Sequence, residues 1–371
     1  MFLARPETPA KGAALGVKDL FDTSGLTTTY GSAIFRDHVP DRTAEAVRRL
    51  EAAGWANVGK TNLHEFAWGI TSENPHFGDV PNPIAPHRVA GGSSGGSAAA
   101  LAAGLVEGAL GSDSGGSIRI PAACCGIVGF KPTYGLAPLD GCFPLAPSFD
   151  HAGPMARDVA TCARMFDALA PSHPRATLAD LGELQVGVTW TSRGDPMVRQ
   201  RVEKAAGHFP HARPLELPLD ESFYAVFRRE AAEVHADLWR AHRELYGANV
   251  AAKVGRALTV SDAEYEASRR GREHYRERMA EAMEGVDLVL TPTLEMVAPP
   301  VGIGDLALRD RMIRLTYPFN AIGAPALALP CGPAEDGLPA SVQLVGSPGD
   351  DARVLAAGEL LERELAIAAN E

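Results

Sequence analysis

A glycine-rich block of small residues from Pro83 to Thr133 constrains this chain more than any other part of it. It contains two serine clusters, "GGSSGGS" (Gly91 to Ser97) and "GSDSGGS" (Gly111 to Ser117). Serine between glycines ordinarily marks a flexible linker. Here each cluster runs directly into apolar, well-packing sequence, which is the mark of ordered backbone. "SGGSAAALAAGL" reads as a tightly packed helix, "VEGALGSDSGG" as a strand running into a loop, and "IVGFKPTYG" as a further strand and turn.

The same alternation continues on both sides. "GVKDLFD" carries Lys18 on a short apolar strand, and Ala44, Val47, Leu50 and Ala53 recur at helical spacing. Residues 156 to 170 form a helix with Val159, Cys162, Met165, Phe166 and Leu169 inward. "LQVGVTW" and "VDLVLTPT" are short apolar runs of the fully buried strand type. Residues 195–283 between them read as charged amphipathic helix. "PALALPCG", "ASVQLVG" and a helix from Asp351 to about Leu365 close the chain. Alternating strands and helices predict an α/β fold: a large mixed, mainly parallel central sheet with helices on both faces. No repeat or linker divides residues 1–371, so a single domain is expected.

Composition removes several classes of function. With 35 Lys and Arg against 46 Asp and Glu, the formal charge is −11, which repels nucleic acid and anionic lipid. No apolar run is long enough for a signal peptide or a membrane span, so a cytoplasmic protein is expected. The five cysteines form no CxxC pair, and their odd number leaves one over in any disulfide scheme. None of the 11 histidines has a zinc spacing; His235 and His242 read as members of a charged helical face. No metal is expected. "GWANVGKT", Gly54 to Thr61, matches the phosphate-loop pattern G-x-x-x-x-G-K-[ST]. Such a loop needs a buried strand before it and a helix starting at its lysine. Here a helix precedes Gly54 and the strand lies inside the motif, so the context is wrong for a nucleotide.

The serine clusters carry a chemical possibility. In Ser114-Gly115-Gly116-Ser117 the glycines let consecutive N–H groups turn inward beside the last hydroxyl, forming an oxyanion-binding nest. A nucleophilic serine needs a base. The esterase elbow G-x-S-x-G is not in these clusters and no histidine of the block is an obvious partner. Lys18 is a candidate, because burial favours the neutral amine.

"GVKDLFD", "GKTNLHEFAWG", "NPIAPHRVAGGSSGGSAAALAAG", "GSDSGGSIRIPAACCGIVGFKPTYG" and "SFDHAGPMARDV", then "TPTLEMVAPPVG" and "TYPFNAIGAPALALPCG", resemble consecutive blocks of the amidase signature family in family order. They cover roughly residues 12–170 and 286–365, with 195–283 as the variable helical region. The resemblance implies amide hydrolysis through a serine acyl-enzyme without a cofactor. It assigns Ser117 as nucleophile, Ser93, after a cis peptide bond, as the bridging serine, and Lys18 as base. The N–H groups of Ser114, Gly115, Gly116 and Ser117 become the oxyanion hole, with Ser94 and Ser112 as supporting hydroxyls. Asp113 supports the loop, and Arg119 either organises it or binds a carboxylate. Lys60 and Thr61 fall in the family's "GKTN" strand and turn. By position Phe66, Ala67, Trp68 and Gly69 match its acyl-pocket wall. For Lys18 to work as a base near neutrality, burial must favour its neutral form by roughly 4 kcal/mol.

The resemblance leaves the substrate open. A free-standing hydrolase of a small-molecule carboxamide is the main expectation, with a homodimer as one possible assembly. The alternatives are a component supplying ammonia to a tRNA-dependent transamidation complex, against which acidity and the short stretch before Lys18 argue, and a noncatalytic partner subunit. Region 195–283 carries none of the family's motifs and is expected to shape the entrance.

Overall fold

The expected apolar runs become strands of one sheet. The computed structural model describes residues 1–8, 11–220 and 222–370; residues 9, 10, 221 and 371 of the expected domain lie outside the described residues. Among the described residues the strands are β1 (Phe2–Ala4), β2 (Ala13–Lys18), β3 (Trp55–Thr61), β4 (Gly108–Asp113), β5 (Val128–Lys131), β6 (His151–Ala156), β7 (Val186–Val188), β8 (Ala212–Pro214), β9 (Leu288–Pro292), β10 (Ala326–Pro333) and β11 (Pro339–Val345). Their order across the sheet is β1-β3-β2-β4-β6-β5-β10-β11-β9-β7-β8.

Alternate residues of the inner strands enter different apolar clusters. Leu288 and Leu290 join Leu327, Leu329, Val342 and Leu344 on one side. Val289, Ala326 and Val345 belong to a second cluster, with Leu15, Val17 and Leu110. A strand's side chains point alternately to its two faces, so both faces are covered. The helices α1 (Glu45–Ala52), α2 (Gly95–Ala102), α3 (Arg119–Cys125) and α4 (Val159–Leu169) lie within the expected blocks. The variable region supplies α5 (Pro196–Ala206), α6 (Tyr224–His242), α7 (Ala248–Ala257) and α8 (Asp262–Ala282). After it come α9 (Asp305–Ile313), α10 (Tyr317–Ala321) and α11 (Asp351–Asn370).

The sheet is mixed as expected, but its balance differs from the mainly parallel expectation. Among the described residues, six of the ten strand pairings are antiparallel. The reason lies in which strands become neighbours. β4 and β5, joined through α3, are parallel to each other, yet β6 inserts between them and pairs antiparallel with both. β11 likewise separates β9 from β10. Parallel neighbours survive only around β2 and β7, towards the two ends. An alternating sequence fixes the direction of successive strands and leaves open what slides between them.

The phosphate-loop match is disposed of by β3, which runs straight through it. Lys60 is fully buried and donates to Phe21 O at 2.6 Å and Thr28 Oγ1 at 2.7 Å. No helix among the described residues is long and apolar enough to cross a membrane. All five cysteines are free, and all but Cys142 are buried.

Candidate active site

β2 and β4 run parallel with Val17 opposite Leu110. Their adjacent ends therefore deliver Lys18 beside Ser112. α2 delivers Ser93 and Ser94 from the other side, and it can do so because its first turn is glycine: a Cβ on Gly96 would stand 2.2 Å from Asn62 O. Small residues here permit backbone contact that no larger side chain allows.

Lys18 is fully buried, and its Nζ donates to Ser93 Oγ at 2.7 Å and Ser112 Oγ at 2.8 Å. The Gly92–Ser93 peptide is cis. Ser94 Oγ donates to Ser112 O at 3.1 Å, and its N–H donates to Ser117 O at 3.1 Å. The expected Lys18, Ser93, Ser94, Ser112 and Ser117 thus come together from separate blocks. Desolvation brings Lys18 from 10.5 down to about 7, against the opposing pull of the Asp113 and Asp150 carboxylates. A buried ammonium offered hydroxyls in place of a carboxylate partner loses its proton readily.

The loop after β4 is organised by a buried ion pair. Arg119 Nε reaches Asp113 Oδ2 and Nη2 reaches Oδ1, both at 3.0 Å. Arg119 Nη1 also donates to Gln343 Oε1 at 2.6 Å and Thr316 O at 3.0 Å, and Nη2 to Asn320 Oδ1 at 2.6 Å. Arg119 is fully buried, with these partners inside the protein. It organises the loop and is not placed to bind a carboxylate from solvent. Burial alone would raise the Asp113 carboxyl, but Arg119, Lys131 and Asn320 outweigh it and hold it well below the usual range.

The oxyanion nest differs from the expected set of four donors. Gly116 N–H donates to Asp113 Oδ1 at 2.7 Å and is committed there. Among the described residues no protein acceptor takes the N–H of Ser114, Gly115 or Ser117. Thr316 Oγ1 donates to Gly115 O at 2.6 Å, and Ser114 Oγ donates to Asp150 Oδ1 at 2.5 Å. Asp150, which also accepts from Leu145 and Ala146 N–H, went unassigned in the sequence although it lies within the quoted "SFDHAGPMARDV".

Ser114, Gly115 and Ser117 open on a narrow cleft of about 40 Å³. Ala67, Trp68 and Gly69 line it as expected, whereas Phe66 does not. Phe66 is fully buried and packs its ring against Phe143, His235 and Tyr246. Positive φ angles at Phe66 and Ala67 turn the chain so that successive residues leave in different directions. His235 corrects another expectation: it is fully buried, stacks on Trp68 and bonds Tyr246 Oη at 2.9 Å, facing inward from α6.

The variable region forms the opposite wall, through Tyr224, Phe227 and Lys253. Lys253 donates to Trp68 O at 2.6 Å and pairs with Asp305, whose other oxygen accepts Ile70 N–H at 2.5 Å. Sequence reasoning missed this clamp, which joins three segments far apart in the chain. Among the described residues no group of three or more His, Cys, Asp or Glu is placed to hold a metal.

A buried lysine thus lies beside serine hydroxyls, under a glycine-rich loop, on a mixed α/β sheet. The comparisons give the family: the amidase profile matches residues 3–209 and 218–355, and the chain belongs to the amidase family. It is 35% identical to a glutamyl-tRNA(Gln) amidotransferase subunit of Roseiflexus sp. (strain RS-1), over 96% of this chain and 83% of that one. It is 34% identical to the 1-carboxybiuret hydrolase subunit AtzE of Pseudomonas sp. (strain ADP), over 95% of this chain and 84% of that one. An amidase crystal structure superposes with a TM-score of 0.88 at 38% identity, covering 95% of this chain and 85% of the other. The protein is an amide-bond hydrolase.

Proposed function

We propose that it hydrolyses a small-molecule carboxamide to carboxylate and ammonia or amine through an acyl-enzyme on Ser117. The observation that carries this reading is Lys18: buried, brought to about 7, and 2.7 Å from Ser93 Oγ. In its neutral form the Lys18 lone pair accepts the Ser93 proton along that same line. Ser93 takes the proton of Ser117, and Ser117 Oγ attacks the amide carbon. Gly115 and Ser117 N–H groups stabilise the developing oxyanion. Collapse breaks the C–N bond as the proton returns through Ser93 to the leaving nitrogen. Water, deprotonated by the same relay, then cleaves the ester and frees Ser117.

Both sequence blocks contribute strands to one sheet, which supports reading the chain as one catalytic domain. The enzyme is proposed to act in the cytoplasm. A second reading, ammonia supply within an amidotransferase assembly, is favoured by the resemblance to glutamyl-tRNA(Gln) amidotransferase proteins. A panel of aliphatic, aryl and ureido amides and glutamine, assayed for ammonia release with wild type and Ser117→Ala, tests both. Turnover of several amides, lost in Ser117→Ala, supports the main reading. Release from glutamine alone supports the second, and turnover undiminished in Ser117→Ala removes the serine mechanism.

A further inference from the structure

The narrow cleft shares Trp68, Tyr224, Lys253 and Arg309 with a wider vestibule of about 560 Å³. A cleft of about 40 Å³ holds little more than the amide itself. Whatever the substrate carries beyond its amide therefore sits in the vestibule, and the lining there is cationic. Arg228, Lys253, Arg256 and Arg309 surround it against Asp310.

Two of these charges are already matched. Lys253 is neutralised by Asp305, and Arg309 pairs with Asp310 at 3.0 Å. Arg228 and Arg256 are different: among the described residues neither has a carboxylate within ion-pairing distance. Glu264 feels the charge of Arg228, but its own Oε2 is engaged by the N–H and hydroxyl of Ser261. Arg228 Nε is buried with no hydrogen-bond partner, and its guanidinium lies 5.7 Å from the Tyr224 ring, which Arg309 approaches at 4.3 Å. Stacking of this kind holds a guanidinium in a fixed orientation.

In a chain of net charge −11, two arginines unmatched among the described residues stand at the mouth of the cleft. A guanidinium fork is suited to a carboxylate by geometry as well as by charge. Resting on the proposed amidase reading, we infer that the vestibule selects amides bearing a second, anionic group, a carboxylate several bonds from the scissile amide, with Arg228 and Arg256 as its counter-charges.

The test compares adipamate with hexanamide, alike except for the terminal carboxylate, by ammonia release from wild type, Arg228→Gln and Arg256→Gln, with melting curves verifying the fold of each. The wild type is expected to prefer adipamate in kcat/KM. Each variant lowers the adipamate-to-hexanamide ratio by about tenfold, chiefly through the KM of adipamate, as loss of one charge-assisted contact implies. Equal handling of both amides by all three proteins overturns the inference while leaving the amidase reading intact. If neither amide is turned over, calorimetric titration of Ser117→Ala with adipate decides. Binding weakened about tenfold by adding Arg256→Gln upholds the inference, and absence of binding overturns it.

Discussion

Lys60 Nζ lies 3.1 Å from Asp19 Oδ1 with both side chains fully buried, whereas Lys18, the residue before Asp19, faces two hydroxyls. Burial pushes Lys60 down and Asp19 up, and each charge opposes the shift of the other. Lys60 is therefore a structural cation that ties the turn after β2 through Phe21 O and Thr28 Oγ1. Replacing Lys60 by Met strands the Asp19 carboxylate in the core, and the expected loss is about 3–5 kcal/mol of stability. The double variant Lys60→Met/Asp19→Asn recovers much of it. Thermal melts check both, and turnover per folded molecule should survive better than the melting temperature.

Lys18 gives the opposite result. Its amine has to be neutral to accept a proton, so kcat/KM rises with pH through about 7 and then levels. The same group governs stability. Its folded value is depressed from 10.5 to about 7, so between those pH values the unfolded chain holds a proton that the folded chain does not. Stability from this group therefore rises with pH across that window and is complete above 10.5. Lys131, also brought to about 7 by burial, contributes with the same sign. Lys18→Met should abolish the kinetic limb and reduce the stability slope by about 1.4 kcal/mol per pH unit, leaving the share of Lys131. Denaturant melts at several pH values between 6 and 10 measure it; a variant with the wild-type slope and pH profile would place the base elsewhere.

Much of this site was legible because its chemistry lies in short contiguous blocks. Ser93, Ser117 and Lys18 sit in motifs whose small residues permit only close-packed backbone, and Asp113 and Arg119 are separated by one turn of loop. What was hidden is non-local. The insertion of β6 between β4 and β5 depends on a strand containing Gly153 and Pro154, which carry no strand signal. The Lys253–Asp305 clamp spans 52 positions and acts on a third segment. Phe66 and Trp68 are two apart, and the positive φ angles at Phe66 and Ala67 set which of them lines the cleft. The commitment of Gly116 N–H followed from where the Asp113 carboxylate points, which Arg119 sets.

That carboxylate supplies a third prediction. Asp113→Asn keeps the shape but removes the charge facing Arg119 and an acceptor for Gly116 or Ile118 N–H. An uncompensated buried guanidinium costs about 3–5 kcal/mol. Because the loop that carries Ser117 is the part released, activity should fall even at temperatures where the variant remains folded. Circular dichroism with parallel initial rates separates the two effects; a folded variant with unaltered turnover would show the ion pair to be dispensable for loop geometry.

The nest itself can be probed by two adjacent methyl groups. At Gly116 φ is +135°, and a Cβ would meet Thr316 Oγ1 at 2.3 Å and Ile120 Cδ1 at 2.8 Å. Thr316 is the residue that holds Gly115 O, so Gly116→Ala must strain its backbone and displace the clamp on its neighbour. The N–H groups then leave their aim, and loss of one oxyanion donor costs about 10²–10³ in kcat. At Gly115 no positive φ is required, and the Cβ would meet the flexible end of Ile313 at 2.9 Å, inside the cleft. Gly115→Ala should therefore narrow the cleft and raise KM while sparing more of kcat. Steady-state kinetics on both variants with one amide distinguish the two outcomes. If Gly116→Ala changes only KM and Gly115→Ala abolishes kcat, the substrate and the oxyanion lie on the other side of this loop from where the cleft places them.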